Sequence, residues 1–331
     1  MKKGMFNFLA VTFFIVSAFF VVFNTVNAAT LYVGSIGDFT TIQNAIDVAG
    51  AGDTINISPG TYNESLLITK PLKIIGINKP LISGNSDSYV IKVDGTNSVS
   101  IENLEIIGVT SESALAIENS SNVSVSRNTI SLFYKNGIRF TKSEGQINYN
   151  VITGDTVDGI SRAQNLINIR NGSDVEINNN TLSHAVTKLR SPEKFDSTCI
   201  FVNAYPDSIP SNANIHDNEL SFCDIGVAVT SMRALIDQST VTIENNNMSD
   251  LIIGVNFEKD TGHATIFGNT YKNVEKETDA YAGNAIAMIT PQSQMALAGN
   301  ATMPENSNTA LVIFSIIVVL AIAGRAYRKY S

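Results

Sequence analysis

Two stretches of this chain carry the residue types that acid–base chemistry on a sugar needs. Residues 153–165, TGDTVDGISRAQN, hold Asp155, Asp158 and Arg162. Residues 183–198, SHAVTKLRSPEKFDST, hold His184, Lys188, Arg190, Glu193, Lys194 and Asp196. Asp158, Arg190 and Asp196 are the catalytic candidates. Asp155, Arg162, His184, Lys188 and the later Tyr205 are candidates for holding substrate. Carboxylates can hold Ca2+ against an acidic sugar, and an Arg or Lys base can take the proton alpha to its carboxylate. Alternatively, two carboxylates about 5–5.5 or 6.5–9.5 Å apart hydrolyse a glycosidic bond. Types alone do not choose, because any two charged surface loops would offer them.

What could bring these stretches together is a repeat. Asn128, Asn150, Asn180, Asn218, Asn246 and Asn269 share one local frame, with an aliphatic residue three before and an apolar residue two after. The steps between them are 22, 30, 38, 28 and 23 residues. A period of this size marks a stacked array. Each unit also carries an upstream strand-like run, among them ALAI (114–117), NGIRF (136–140), LINI (166–169), CIFV (199–202) and IGVAV (225–229). These runs are short, alternating and rich in β-branched residues, with Asn, Ser, Asp and Gly turns between them. Strands joined only by short turns wind into a parallel β-solenoid. Turns then stack about 4.8 Å apart, and a corner column of asparagines can bond side chain to side chain. The six frame asparagines are thus expected to form a structural ladder.

The unequal steps locate the loops. Surplus residues must protrude, and loops on a rigid scaffold carry function. Stretches 153–165 and 183–198 leave the coil at the same corner of adjacent turns. A second pair, 203–213 and 231–239, leaves at another corner.

Residues 39–49, FTTIQNAIDVA, have helical spacing at Ile42, Ala45, Ile46 and Ala49, with Gly50 and Gly52 to stop the helix. An amphipathic segment here would cap the open first turn. The opening FTTIQNAIDVAGAGDTINISPGTYNESLLITKPLKIIG resembles that of the right-handed parallel β-helix superfamily, and the resemblance extends from residue 31 to about 290. It implies an all-β, single-stranded right-handed parallel β-helix with an N-terminal capping helix. The superfamily includes pectate lyases, pectin methylesterases, carbohydrate-binding and sugar-hydrolase domains, and a periplasmic protein that helps mature a copper site. Fold alone does not choose among these. The paired-aspartate strings of pectin methylesterases and the Arg-x-Pro-x-x-Arg segment of pectate lyases are absent. With 3 His and no Cys/Met cluster, metal-site maturation is disfavoured. Trp is absent, so a sugar platform would fall to Tyr134, Tyr149, Tyr205 or Tyr271.

The ends point outward. Residues 1–28 read as a signal peptide, with Lys2 and Lys3 before an apolar run and Val26-Asn27-Ala28 as the cleavage site. The β-helix is expected over 29–280 and a linker over 281–308. Residues 309–326 form an apolar transmembrane or sorting segment, and 327–331 a basic cytoplasmic tail. Pro304-Glu305, the apolar run and the basic tail resemble a PEP-CTERM-type sorting signal, with Asn306 where that family has proline. The resemblance implies a sorting transpeptidase as partner; a plain membrane anchor is the other reading. Net charge is −8; without Lys2 and Lys3 it is −10, and without Arg325, Arg328 and Lys329 it is −13. An acidic exterior repels nucleic acid and anionic lipid, and suits divalent cations or glycans. Cys199 and Cys223 lie about one turn apart, but strand alignment sets Cys199 opposite Gly226, leaving bridge and free thiols both open.

These readings favour a non-catalytic surface β-helix with a structural, adhesive or glycan-contacting role. A polysaccharide lyase or glycoside hydrolase is the first alternative, and a metal-site accessory protein the second.

Overall fold

The computed structural model describes residues 28–154, 163–187, 197–207, 209–230, 239–257, 263–280 and 287–289. Within them the chain is a parallel coil. A typical turn has a first strand (Ser121–Ser126), a short second strand (Thr129–Ser131) and a long third strand (Asn136–Thr141). Each pairs in parallel with its counterparts one turn before and after. First strands make an 11-stranded sheet from Thr30–Val33 to Ala287–Ile289. Ala287–Ile289 lies inside the stretch read by composition as linker, and its pairing with His263–Phe267 carries the coil past residue 280. Second and third strands make a 16-stranded sheet, joined where Asn247–Phe257 occupies both positions in 11 unbroken residues.

Alternation explains the core. Successive side chains point to opposite faces of a strand, so a fixed register stacks like on like. One column runs through Leu31, Ile55, Ile74, Ile101, Val125, Ile147, Ile177, Ile215, Ile243 and Ile266. A second runs through Tyr62, Ile82, Ile106, Ile130, Ile152, Leu182, Leu220, Met248 and Tyr271. From Val125 and Ile130 onward, these are the positions three before and two after each frame asparagine. Each fully buried aliphatic side chain contributes about 1.5–3 kcal/mol of transfer free energy. Tyr271 therefore packs against the core and offers no open sugar platform. Burial, and then the charge of Glu277, push its phenol up to about 12.

The corners are built from side chains. The residue before each frame asparagine is left-handed: Arg127, Tyr149, Asn179, Asp217, Asn245 and Gly268 have φ of 57, 57, 54, 56, 54 and 68°. This bend aims the asparagine inward. The Nδ2 of Asn128, Asn150, Asn180, Asn218 and Asn246 donates to the Oδ1 of the next asparagine, at 3.1, 3.0, 3.0, 2.9 and 3.0 Å. Each also donates to a backbone carbonyl one turn back, from Ile101 through Ile215. The column begins one turn earlier at Leu104, whose N–H donates to Asn128 Oδ1. A different corner carries a serine column. Backbone N–H groups of Thr96, Ser120, Ser143, Gly172 and Ser211 donate to Ser120, Ser143, Ser173, Ser211 and Ser239 Oγ.

The open first turn is covered by the helix Ile42–Val48, which buries Ile42, Ala45 and Ile46. It is shorter than the apolar spacing suggests, because Phe39 is held in a bridge to Val33 and Thr41 is extended. Thr41 makes no side-chain cap. Instead both Glu64 carboxylate oxygens accept the first helical N–H groups, from Ile42 and Gln43.

The cysteines form a disulfide, with Cα atoms 5.9 Å apart. The strand register is the aligned one, since Thr198 pairs with Ile225 and Ile200 with Val227. Cys223 bridges from the bend that precedes its strand, outside the paired register. Signal peptide, apolar segment and basic tail lie outside the described residues, Ala28 excepted. Among the described residues, no helix is long and apolar enough to cross a membrane.

Candidate functional site on the outer face of the long strands

Loop placement singles out one face. The second strands Val151–Thr153 and Thr181–Ser183 pair with each other, as do the third strands Asn165–Arg170 and Thr198–Asn203. Thr153 and Ser183 therefore end their second strands at one corner, upstream of the third-strand face, and Asn203 and Thr230 end their third strands at its downstream edge. Asp155, Asp158, Arg162, Lys188, Arg190 and Asp196 lie outside the described residues.

His184 and Tyr205 are placed. His184 is left-handed (φ 65°), stacks on Phe222 with ring centroids 5.1 Å apart, and has Nδ1 2.9 Å from Ser183 Oγ. Tyr205 is half-exposed at the downstream edge, its N–H donating to Asn203 Oδ1 at 3.0 Å. Tyr134 and Tyr149 are also exposed, and the Tyr149 ring carries Arg127 at 5.6 Å. His216 is held between Asp217 (2.7 Å) and Glu176 (3.2 Å).

The face itself carries charges that the loop argument passed over. Strand register puts Lys92, Ala116, Arg139, Asn168, Phe201 and Ala228 in one outward column. Asp94, Glu118, Thr141, Arg170, Asn203 and Thr230 form the next. The surface is recessed, since Ala116 and Ala228 are only 1% and 2% exposed. Lys92 Nζ lies 2.9 Å from both Asp94 and Glu118. Arg139 lies 2.7 Å from Glu118 and 3.6 Å from Glu112, and Glu112 also meets Lys135 at 3.7 Å. Burial pushes the Glu118 carboxyl up, but hydrogen bonds from Lys92 and Arg139 bring it below its ordinary value.

Arg170 differs from the other cations. Its Nε donates to Thr141 Oγ1 at 3.2 Å, and it has no carboxylate partner among the described residues. Burial first, then the like charge of Arg139, pull its pKa down; a guanidinium remains charged regardless. Arg139 is 9% exposed, and its Nε has no acceptor. The recess thus holds one half-buried guanidinium without an ion-pair partner among the described residues, beside one buried Nε without an acceptor.

Beside these cations lies a second amide ladder. Asn203 donates to Asn168 Oδ1 at 3.1 Å, and Asn168 to Asn136 Oδ1 at 3.0 Å. The readable trace of this site was an Arg inside an alternating strand, in NGIRF and at the end of LINIR.

Among the described residues, no group of three or more His, Cys, Asp or Glu side chains is placed to hold a metal ion. Asp94, Glu112 and Glu118 are engaged by cations, so they do not suit Ca2+. A separate depression of about 580 Å³ at the upstream corner is lined by Val186, Thr187, Asp224, Asp250 and Glu275. Its buried Asp224 carboxylate is taken by the N–H groups of Thr187 and Ser197.

Coil, capping helix and flanked outer face define a right-handed parallel β-helix, the fold shared with several solved polysaccharide-acting proteins. A pectate lyase, Pel9A, aligns with TM-score 0.54 and 13% identity over 85% of this chain and 88% of that one. An alginate lyase from a Paenibacillus species aligns with TM-score 0.52 and 16% identity over 76% and 99%. A polygalacturonase from Erwinia carotovora ssp. carotovora aligns with TM-score 0.52 and 11% identity over 79% and 96%. At these identities the likeness is one of fold. No protein-family model and no curated protein matches the sequence.

Proposed function

We propose that this is an exported, surface-held β-helix that binds carboxylate-bearing polysaccharide along the recessed outer face of its third strands. The observation that supports this most directly is Arg170, a half-buried guanidinium with no ion-pair partner among the described residues, one register step from Arg139. A sugar carboxylate would give the Arg170 guanidinium a charged acceptor. The acidic remainder of the exterior disfavours nucleic acid and anionic lipid. Export and surface retention rest on the leader and the C-terminal segment of the sequence.

A second reading is catalytic, as lyase or hydrolase. It draws on the likeness to pectate lyase, alginate lyase and polygalacturonase, and on the residue types of stretches 155–162 and 188–196, which connect to strands of the same face. Asp158, Arg190 and Asp196 would carry it, with Asp155, Arg162, His184, Lys188 and Tyr205 around the substrate. Ca2+ would then be held by the loop carboxylates, because those of the face are occupied.

The test is titration of the protein with a polyuronate and with a neutral glucan, following binding by calorimetry and absorbance at 235 nm. Binding of the polyuronate alone, weakened at least tenfold by Arg170→Ala, is expected. Equal binding of both glycans, or indifference to Arg170→Ala, would overturn the reading. New absorbance at 235 nm that disappears in Asp158→Ala establishes the lyase form of it.

A further inference from the structure

The charge balance of the recess points to the pattern of its ligand. We infer that the site selects a glycan whose carboxylates are isolated between uncharged sugars, over one charged at every sugar. This rests on the glycan reading above.

Around the recess, Lys92, Lys135, Arg139 and Arg170 face Asp94, Glu112 and Glu118. Lys92 is held by two carboxylates at 2.9 Å, and Arg139 by two at 2.7 and 3.6 Å. Lys135 shares Glu112. One positive charge is left over, and it sits at Arg170. Toward the C-terminal end the outward positions are Phe201, Asn203, Ala228 and Thr230, none of them charged. Toward the N-terminal end they include Lys92, Arg139, Asp94 and Glu118, whose charges are paired with one another.

A chain laid along the coil axis meets a new turn about every 4.8 Å. A polymer charged at every sugar can place one carboxylate on Arg170. Its others fall on the Lys92, Arg139, Asp94 and Glu118 cluster, whose charges are already paired, or on the apolar and amide positions; at both they lose water without gaining a free counter-charge. A sparsely charged polymer avoids this penalty. Its neutral rings can lie on Phe201, which is outward, half-buried and one diagonal step from Arg170. Selection here comes as much from what the recess penalises as from what it attracts.

The experiment uses the full-length protein in detergent, with three polymers matched in length. These are a homopolyuronate, a polymer alternating glucuronate with an uncharged N-acetyl sugar, and a neutral glucan. The alternating polymer is expected to bind at least tenfold more tightly than the homopolyuronate. Arg170→Gln should remove that preference, with the far-UV circular dichroism of the fold unchanged. Phe201→Ala should weaken the alternating polymer more than the homopolyuronate. Glu118→Gln, which lifts one negative charge from the face, should improve the homopolyuronate by more than it improves the alternating polymer. Homopolyuronate binding as tight as or tighter than the alternating polymer would overturn the inference and leave the glycan reading standing. Binding of no polymer would overturn both.

Discussion

Replacing Asn180 by alanine tests whether the inner asparagine ladder holds the turns together. Its side chain is 1% exposed and makes five hydrogen bonds. Oδ1 accepts from Asn150 N–H and Nδ2, both at 3.0 Å. Nδ2 donates to Ile147 O at 2.8 Å, Asn178 O at 3.0 Å and Asn218 Oδ1 at 3.0 Å. Not all of these are lost at full cost. Asn150 Nδ2 keeps Val125 O, and Asn218 Oδ1 keeps the Asn180 backbone N–H. The Asn150 N–H, however, is left without its acceptor in the interior, at about 2 kcal/mol. The bonds to Ile147 O and Asn218 Oδ1 add about 1 kcal/mol each. The expected loss is therefore about 4 kcal/mol in urea unfolding, with faster hydrogen exchange concentrated at Asn150 and its neighbours, since a solenoid turn leans chiefly on adjacent turns. Asn269→Ala is the control. Asn269 ends the column half-buried, and water can replace part of what it gives, so its loss should be smaller. Asn180→Asp sharpens the test. A carboxyl there would face the three acceptors that Nδ2 now serves, so its folded pKa is raised and its protonated form is the stabilising one. That stability is present below the ordinary carboxyl value and is lost as pH rises through the raised one. The variant should thus be more stable near pH 4 than near pH 7, relative to the parent. A loss under about 1 kcal/mol for Asn180→Ala, or one no larger than for Asn269→Ala, would refute the ladder's role.

Two further predictions concern the same coil. Glu118, its pKa lowered in the folded state, contributes stability above the ordinary carboxylate value that is lost as pH falls through the lowered one; Glu118→Gln should flatten the acid limb of a melting-temperature profile. Replacing Cys199 and Cys223 by serine opens a loop with a sequence separation of 24, and should cost about 3 kcal/mol by chain entropy, measured as a lower urea midpoint than the oxidised parent.

Much of the coil could be read from particular residues. Ile147, Asn150 and Ile152 lie close together in sequence, and their order already states which side chain points inward and which turns the corner. The serine column was not picked out, although Ser143, Ser173, Ser211 and Ser239 each lie seven residues before a frame asparagine and Ser120 lies eight before one. Nor was Glu64 as the cap of a helix 22 residues before it, since a capping residue is sought next to the helix it caps. The helix Ile42–Val48 came out shorter than its apolar spacing because Phe39 was claimed by a strand-like bridge to Val33.

The site was less visible than the fold. Attention went to the loops, yet the placed charges of Lys92, Glu118, Arg139 and Arg170 sit on the strands between. Arg139 and Arg170 look unrelated along the chain, one in NGIRF and one after LINI. They become neighbours only because Asn136–Thr141 pairs with Asn165–Arg170 in a single register.

By itself, then, the sequence determined a parallel coil with aliphatic columns and an asparagine corner, because alternation and corner chemistry are set by residues a few positions apart. Only the tertiary structure decided that Cys199 reaches Cys223, and that Arg170 stands beside Arg139 without a carboxylate of its own. The physical reason is that loops of unequal length separate the turns. They leave the stacking distance unchanged while altering the count of residues between partners, so who meets whom is settled by register in space and not by spacing along the chain.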